Sequence, residues 1–212
     1  MDRILLLYTS HRQDIEYEIS SRYFNRSRFL RENADVYISC NNQALREHMV
    51  TRVSQIFDTN TSIHISSKNA GYLPGPSEAI DEVINTTDVL NNYTWIVHLH
   101  PDIYLVNTDQ LEETLNKASN HLMINDYIDP TAIFQDFFVF KPSVNIWSDW
   151  QNQWAADPKL VPERFMYANF KSKYGLEALY KINRRGATDH VLDDFGLLHS
   201  HDITQSLSYL NG

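Results

Sequence analysis

Short apolar runs alternate with amphipathic stretches along the first part of the chain. Ile4–Tyr8, Asp35–Cys40, Ser62–Ile65 and Trp95–Leu99 have the length and the β-branched or aromatic content of buried strands. Polar stretches with one apolar face separate these runs. Strand and helix in alternation are typical of a mostly parallel sheet with helices on its faces, so the pattern predicts an α/β fold.

The amphipathic stretches predict the helices that cover this sheet. Ile15, Ile19 and Tyr23 recur at the spacing of one helix face, and Ser77 has the residue type of an N-cap before Glu78. We predict helices from about Asp14, over Gln43–Ile56, after Ser77 and from Thr108 or Asp109, with another strand at His121–Asn125.

The second half of the chain is richer in aromatic residues. An apolar run at Ile133–Phe140 is interrupted by Asp136, and tryptophans at 147, 150 and 154 have the spacing of a core stripe. We predict a long helical region from Pro162 to about Ile182 with a break at Gly175, and a short acidic helix at Thr188–Phe195. With no repeat and no low-complexity linker, we expect a single domain.

Composition narrows the classes of partner. The chain has 212 residues, a formal net charge of −9 and a single cysteine, Cys40. No basic excess is present to neutralise a phosphate backbone, which argues against nucleic acid as a partner. Cys40 has no internal disulfide partner, and the apolar run Ile4–Tyr8 is too short for a membrane span or a signal peptide. We therefore expect a soluble cytoplasmic protein with no membrane span.

The strand Trp95–Leu99 ends in the strongest candidate site. His100 and Asp102 flank Pro101, and residues two apart on an extended backbone point to the same side. Proline holds this pair rigid at the carboxyl edge of the sheet, where ligands bind in open α/β folds. A carboxylate and imidazoles suit Mn²⁺, so we predict a metal site at Asp102 and His100 with either His199 or His201.

Polar residues follow two other predicted strands. Thr9, Ser10 and Arg12 come after the first strand and offer hydroxyls and a cation to a nucleoside and its phosphate. Lys68, Asn69 and Gly71 follow the third strand and suit a nucleotide or pyrophosphate, without the spacing of a Walker loop. A solvated turn remains an equal interpretation of the first group.

Two aspartates in the second half are candidate catalytic residues. Asp136 stands in an apolar strand, where a buried acid without a partner is costly, so we expect it to have a hydrogen-bonding role, such as holding sugar hydroxyls. Asp189 follows Thr188, which can cap a helix and direct the carboxylate outward. From the residues alone, an N-cap or ion-pair role is equally open for each.

These motifs together resemble the GT-A fold of nucleotide-sugar glycosyltransferases over nearly the whole chain. Leu-His-Pro-Asp at 99–102 is similar to the Leu-Asp-x-Asp signature, and the turn at Thr9 and Ser10 is similar to the uridine pocket. Thr-Asp-His-Val-Leu at 188–192 resembles the Asp-Gln-Asp-Ile-Leu motif of retaining galactosyltransferases related to glycogenin. Leu-Leu-His ending at His199 is similar to their late metal-binding histidine.

The resemblance implies a function and a cofactor. It implies a UDP-sugar donor, such as UDP-glucose or UDP-rhamnose, a glycan or glycoprotein acceptor, Mn²⁺ or Mg²⁺, and retention of anomeric configuration. Residues to about 125 would hold the nucleotide, and about 126–212 the acceptor. The chain is also similar to viral glycosyltransferase domains that build glycans on a capsid protein, within longer proteins that carry further domains.

One departure from the signature affects the predicted metal. His100 replaces the first aspartate, and an imidazole has to be neutral to bind a cation. We therefore expect metal-dependent turnover to fall below about pH 6.5, the ordinary pKa of histidine.

Two other classes of protein remain open. One is a zinc-type metallohydrolase that uses the histidines at 98, 100, 199 and 201. The other is a carbohydrate-binding module that uses its aromatic surface without turnover. Nucleotide preference in the presence of Mn²⁺ separates all three.

Overall fold

The computed structural model describes residues 3–10, 14–40, 51–66, 75–126, 131–148, 150–157, 160–182 and 191–210. Its strands are β1 Ile4–Ser10, β2 Ala34–Cys40, β3 Thr61–Ile65, β4 Trp95–Leu99, β5 Ile103–Leu105, β6 Met123–Asp126, β7 Phe137–Phe140, β8 Leu179–Ile182 and β9 Leu197–His199. Its helices are α1 Asp14–Arg26, α2 Arg28–Asn33, α3 Gly75–Thr86, α4 Asp109–Lys117, α5 Trp150–Ala156, α6 Pro162–Tyr174 and α7 Ile203–Ser208. Short 3₁₀ turns lie at Val89–Asn92 and Leu176–Ala178.

The sheet has seven strands in the order β3-β2-β1-β4-β7-β6-β8. β3, β2, β1 and β4 are parallel neighbours, β7 is antiparallel to both β4 and β6, and β6 is parallel to β8. One reversed strand in an otherwise parallel sheet gives a mixed, mostly parallel α/β domain. The predicted fold class is therefore confirmed.

Apolar clusters cover both faces of the sheet, so its central strands are buried along their whole length. Trp95, Val97 and Leu99 of β4 join one cluster, while Ile96 joins the other. Trp147 and Trp150 are fully buried in the second cluster, which confirms the core assignment for these two tryptophans. The side chain of Trp154 lies outside the described part.

A separate two-stranded ribbon lies beside the carboxyl edge of β4. β5 pairs antiparallel with β9, and Ile103 faces His199 in the register. Tyr104 of β5 packs under α1 against Ile19 and Tyr23. The ribbon therefore brings the end of the chain back to the turn that follows β4.

The structure corrects the predicted helix beyond Gly175. α6 ends at Tyr174, and Gly175 has a φ of 78°, a conformation that ends a helix and that side chains with a Cβ rarely adopt. Leu179–Ile182 is then a strand paired with β6. The break at Gly175 is confirmed, whereas the helical continuation is wrong because Leu179 and Ile182 are buried against the sheet.

Two other local predictions are wrong. The helix assigned to Ser77 begins at Gly75, and the Ser77 hydroxyl accepts a hydrogen bond from Gln135 Nε2 at 3.1 Å instead of capping the helix. In place of the acidic helix at Thr188–Phe195, the described part forms a turn in which Asp193 Oδ1 accepts from the amides of Phe195 and Leu197. Residues 183–190 lie outside the described part, as do residues 43–50 of the predicted helix Gln43–Ile56.

No helix in the described ranges combines the length and the apolarity that crossing a membrane requires.

A buried carboxylate ties the amino-terminal edge of the sheet together. Asp35, at the start of β2, is 6% exposed and forms an ion pair with Arg3. The hydroxyl of Tyr93 donates to Asp35 Oδ2 at 2.6 Å. Burial, and then the bond to Asp35, raise the pKa of Tyr93. The hydroxyl therefore stays protonated and continues to donate to the carboxylate.

We expect Tyr93→Phe to destabilise the protein, because it leaves a buried carboxylate short of one donor. The loss in unfolding free energy is expected to be about 1.5–3 kcal/mol, the usual contribution of a hydrogen bond to a charged group. Urea unfolding measures it. Tyr167→Phe is the control, with an expected change below about 0.5 kcal/mol. Equal stability of the two variants would contradict the role given to the Tyr93 hydroxyl.

Candidate functional site

The chain between β4 and β5 turns sharply at His100–Ile103. The amide of Ile103 donates to the carbonyl of His100 at 3.0 Å, with Pro101 and Asp102 at the two central positions. Proline favours the first central position of such a turn because its φ is already set. The carbonyl of Asp102 accepts from the amide of Ser200 at 3.1 Å. This contact fixes the turn to the segment that follows β9.

Asp102 meets two histidines from that segment. Its Oδ2 lies 3.2 Å from His201 Nδ1 and 3.7 Å from His199 Nε2. One ligand atom from each of the three side chains lies within 4.8 Å of the others. The structure therefore places both candidate late histidines, at positions 199 and 201, beside the aspartate of the signature.

The Asp102 carboxylate is nearly enclosed. The residue is 8% exposed, and its Oδ1 is buried without a hydrogen-bond partner among the described residues. Burial raises the pKa of Asp102, but contact with His199 and the charges of His100 and His201 outweigh burial, so the pKa lies below its usual range. A charged carboxylate with one unsatisfied buried oxygen is suited to a cation.

His100 is held by Asp136 on the other side of the turn. Its amide donates to the carbonyl of Asp136 at 3.0 Å, and its Nδ1 lies 3.4 Å from Asp136 Oδ1. Its Nε2 is buried without a hydrogen-bond partner among the described residues. Burial lowers the pKa of His100 despite the opposing charges of Asp136 and Asp102, which favours the neutral ring.

The side chain of Thr9 contacts a second histidine near this region, His98. Its Oγ1 lies 2.9 Å from His98 Nε2, and both residues are buried. The His98 ring stacks on Phe138 with centroids 4.5 Å apart. Burial, and then the neighbouring His100, hold the pKa of His98 well below 6.5. The Thr9 hydroxyl is thus engaged inside the sheet, while its backbone remains at the carboxyl edge.

The structure brings together the predicted residues His100, Asp102, His199 and Asp136. Asp136 differs from its prediction: it precedes β7 with a side chain 44% exposed, so no buried acid has to be compensated. Other predicted residues cannot be placed, because they lie outside the described part. These are Arg12, Lys68, Asn69, Gly71, Asp189 and the side chain of Ser10.

Glu163 belongs to the same neighbourhood and is absent from the predicted set. It lies in the first turn of α6, and its carbonyl accepts from the amide of Ile133 at 3.0 Å. Burial, and then the negative charge of Asp136, raise the pKa of Glu163. Only the tertiary contact between α6 and the segment before β7 brings these acids close. Glu163 and Asp136 are far apart in the sequence, and no motif spacing predicts that they lie close together.

The donor set at Asp102 fits a divalent metal ion. One carboxylate and two imidazoles are typical ligands of Zn²⁺ and Mn²⁺. Asp102 lies in the turn before β5, His199 ends β9, and His201 lies in the segment that follows β9. The buried Oδ1 of Asp102 is the polar atom that such an ion would satisfy. His100 stands next to this group and is outside the cluster of three. Its Nε2 has no hydrogen-bond partner within the described ranges.

Comparison with protein-family models and with curated proteins yields no match. No family model matches the chain, and no curated protein matches it in sequence. The fold, in contrast, is found in many solved structures.

Three solved structures illustrate the likeness. The 4-diphosphocytidyl-2C-methyl-D-erythritol synthase of Anaerococcus prevotii has a TM-score of 0.60 at 11% identity, over 99% of this chain and 96% of that one. A mannosyltransferase of Pyrobaculum calidifontis, in complex with GDP-Man and Mn²⁺, has a TM-score of 0.52 at 10% identity. The glycosyltransferase GlyE of Streptococcus pneumoniae has a TM-score of 0.57 at 7% identity over 86% of this chain.

The extent of the match differs among these proteins. This chain spans 44% of the mannosyltransferase and 45% of GlyE, whereas it spans nearly all of the synthase. At these identities the likeness establishes the fold, a GT-A or nucleotidyltransferase-like domain. The reaction depends on the residues at the sheet edge, because proteins with one fold can have different activities.

Burial of His98 predicts a pH-dependent stability. Its folded pKa lies below 6.5, so the unfolded chain binds a proton that the folded chain excludes once the pH falls below 6.5. Stability is then lost as pH decreases, by up to about 1.4 kcal/mol per pH unit.

The measurement is urea unfolding at several pH values between neutrality and about pH 5. His98→Gln keeps a donor near Thr9 and cannot titrate, so we expect the variant to lose part of the slope of stability against pH. An identical slope in both proteins would show that the folded state tolerates a charged His98.

Proposed function

We propose that this protein is a metal-dependent glycosyltransferase that uses a nucleotide sugar as donor. The observation that carries the proposal is the cluster of Asp102, His199 and His201 at the carboxyl edge of β4. In open α/β sheets, ligands bind at this edge. The GT-A-like fold, and a structural neighbour in complex with GDP-Man and Mn²⁺, support the same function.

The cluster would bind the metal ion, and the neighbouring His100 would have a separate role. Asp102, His199 and His201 would hold Mn²⁺ or Mg²⁺, and a bound divalent ion neutralises the charge that develops on a departing diphosphate. His100, oriented by Asp136, borders the same space with its Nε2. Its neutral ring offers an acceptor for a hydroxyl or a further ligand atom for the ion. A carboxylate next to the other ring nitrogen is the usual way to orient such a ring.

The donor assignment to UDP rests on the resemblance of the sequence motifs. Residues to about 125 would bind UDP-glucose or UDP-rhamnose, with Thr9, Ser10, Arg12, Lys68, Asn69 and Gly71 nearest the nucleotide. β1, which ends at Ser10, is the strand next to β4 in the sheet, and this supports a shared nucleotide site. Residues about 126–212 would bind a glycan or glycoprotein acceptor.

Retention of anomeric configuration is part of the proposal. Asp136 and Asp189 would act as the catalytic carboxylates that steady the positive charge on the sugar ring. The contact of Asp136 with His100, next to the metal cluster, supports a place near the reacting carbon. A role in glycosylation of a viral capsid protein follows only from the resemblance, and none of the compared structures bears on it.

A zinc-type metallohydrolase is the second candidate. The two imidazoles beside a single carboxylate favour it, because this donor set is typical of catalytic zinc. The two functions differ in their need for a nucleotide. Calorimetric titration with UDP, GDP and CMP, with and without Mn²⁺, separates them: selective Mn²⁺-dependent binding of UDP supports the transferase, and indifference to the nucleotide supports the hydrolase.

The variant that tests the site is Asp102→Ala. It removes the only carboxylate of the three-residue cluster, so we expect Mn²⁺-dependent UDP binding and UDP-sugar hydrolysis to be lost while circular dichroism shows a folded chain. Asp58→Ala, at an aspartate whose side chain is 70% exposed, is the control and should leave both unchanged. Wild-type hydrolysis by a folded Asp102→Ala protein would refute the site.

Metal affinity should depend on pH, because protons compete with the ion for imidazole nitrogens. We expect Mn²⁺ binding to weaken by about tenfold or more per pH unit below about pH 6.5, where ordinary histidines become charged. Calorimetry with Mn²⁺ alone, from about pH 8 to 5, measures the affinity. A flat profile would exclude the histidines as ligands.

A further inference from the structure

A second concave site lies at the far end of the β5–β9 ribbon from Asp102. It is a groove of about 750 Å³ between the α1–α2 junction and the start of α4. Val106 and Asn107, which directly follow β5, form part of its lining. Ligand sites in proteins usually have volumes of about 300–1,000 Å³, so the groove is large enough for a small molecule.

The two walls of the groove carry opposite charges. Arg26 and Arg28 line one wall, and Asp109 and Glu112, in the first turn of α4, line the other. Among the described residues, Arg28 pairs with Glu32 on its own wall, and no ion pair crosses the groove. The two walls meet at a hydrogen bond between the hydroxyls of Ser27 and Thr108, 2.8 Å apart. The charged groups of each wall are left to face a ligand in the groove.

This distribution of charge restricts the class of ligand. Three acids and two arginines line the groove, so neither an anion nor a cation is favoured as a whole. A sugar hydroxyl both donates and accepts hydrogen bonds, and a chain of sugars can satisfy both walls at once. Asn33 and Asn107 add amide groups to the same lining.

Aromatic rings complete a lining suited to sugars. Phe29 and Tyr209 are partly buried, each packed on a core cluster, and both border the groove. Rings fixed in this way present flat apolar faces, on which the C–H face of a sugar ring packs. The groove thus combines planar polar groups with aromatic surface.

The groove is connected to the candidate active site by a single strand. Asp102 precedes β5 and Val106 follows it, a separation of at most about 13 Å along an extended chain. Tyr104, between them, is buried against Tyr23, which also lines the groove. The distance between the two sites is thus no more than the length of a few sugar units.

We propose that the groove between α2 and α4 binds a neutral oligosaccharide, the part of the glycan acceptor remote from the reacting sugar. The acceptor would then extend beyond residues about 126–212 onto the amino-terminal half of the chain. This inference rests on the proposed glycosyltransferase function for the identity of the ligand as acceptor. The groove itself is defined by residues that have no part in the metal cluster. Binding there is consequently separable from metal and nucleotide binding.

The test is titration of the ¹⁵N-labelled protein with maltotetraose, cellotetraose and mannotetraose, without metal or nucleotide. We expect at least one tetrasaccharide to shift the amide signals of Asn107 and of the start of α4. Glu112→Gln and Arg26→Gln should each weaken its binding by about tenfold, as expected for loss of a charged hydrogen-bonding group. Glu113→Gln is the matched control, because Glu113 pairs with Lys117 and does not line the groove.

The other outcomes overturn the proposal. It fails if no tetrasaccharide binds at millimolar concentration, if the shifts avoid the groove, or if phosphocholine, a zwitterion that can also bridge the walls, binds there more tightly than every sugar. Mn²⁺-dependent UDP binding by the same two variants should equal that of the wild type. A protein that binds tetrasaccharide in the groove but no UDP would refute the proposed function and leave the groove as a glycan site.

Discussion

The antiparallel pairing of β5 with β9 is the contact on which the candidate site depends. It places His199 opposite Ile103, and the amide of Ser200 then bonds to the carbonyl of Asp102. Without it, the histidines near the end of the chain would have no fixed relation to the aspartate after β4. Because Leu197 and Leu198 of β9 are fully buried, apolar packing stabilises a ribbon whose polar ends form the cluster.

Around this ribbon, the polar groups are arranged so that the histidines inside the sheet stay neutral. His98 is stacked on Phe138 and bonded to Thr9, and burial disfavours its charged form. Asp102 keeps its charge, although one of its oxygens has no partner in the described part of the chain. The buried carboxylate of Asp102 is thus a local concentration of negative charge. A divalent cation would balance that charge, which is the physical reason to place one there.

The sequence predicted the parallel half of the sheet well, because β1, β2 and β4 are continuous buried runs with little alternative. It failed where tertiary contacts decide. The residue pattern of Leu179–Ile182 predicts a helix, and only the pairing with β6 shows that this segment is a strand. The type of residue at Ser77 predicts an N-cap, but its hydroxyl accepts a hydrogen bond from Gln135 instead. The late histidine stayed unresolved for a similar reason. The spacing of His199 and His201 allows either, whereas the turn at Ser200 brings both to Asp102.

The sheet by itself does not decide the chemistry. The same architecture, at similarly low identity, occurs in a cytidylyl-type synthase and in glycosyltransferases, so the reaction has to be set by side chains at the strand ends. In this chain those side chains are rich in imidazole where the resembled signature has a second carboxylate. Imidazole binds divalent metals as a neutral ligand, so near neutrality protons compete with the metal ion for its nitrogen. In the proposed metal site, the exchange would lower the negative charge around the ion. It would also make ion binding sensitive to a pH range in which a pair of aspartates would remain ionised.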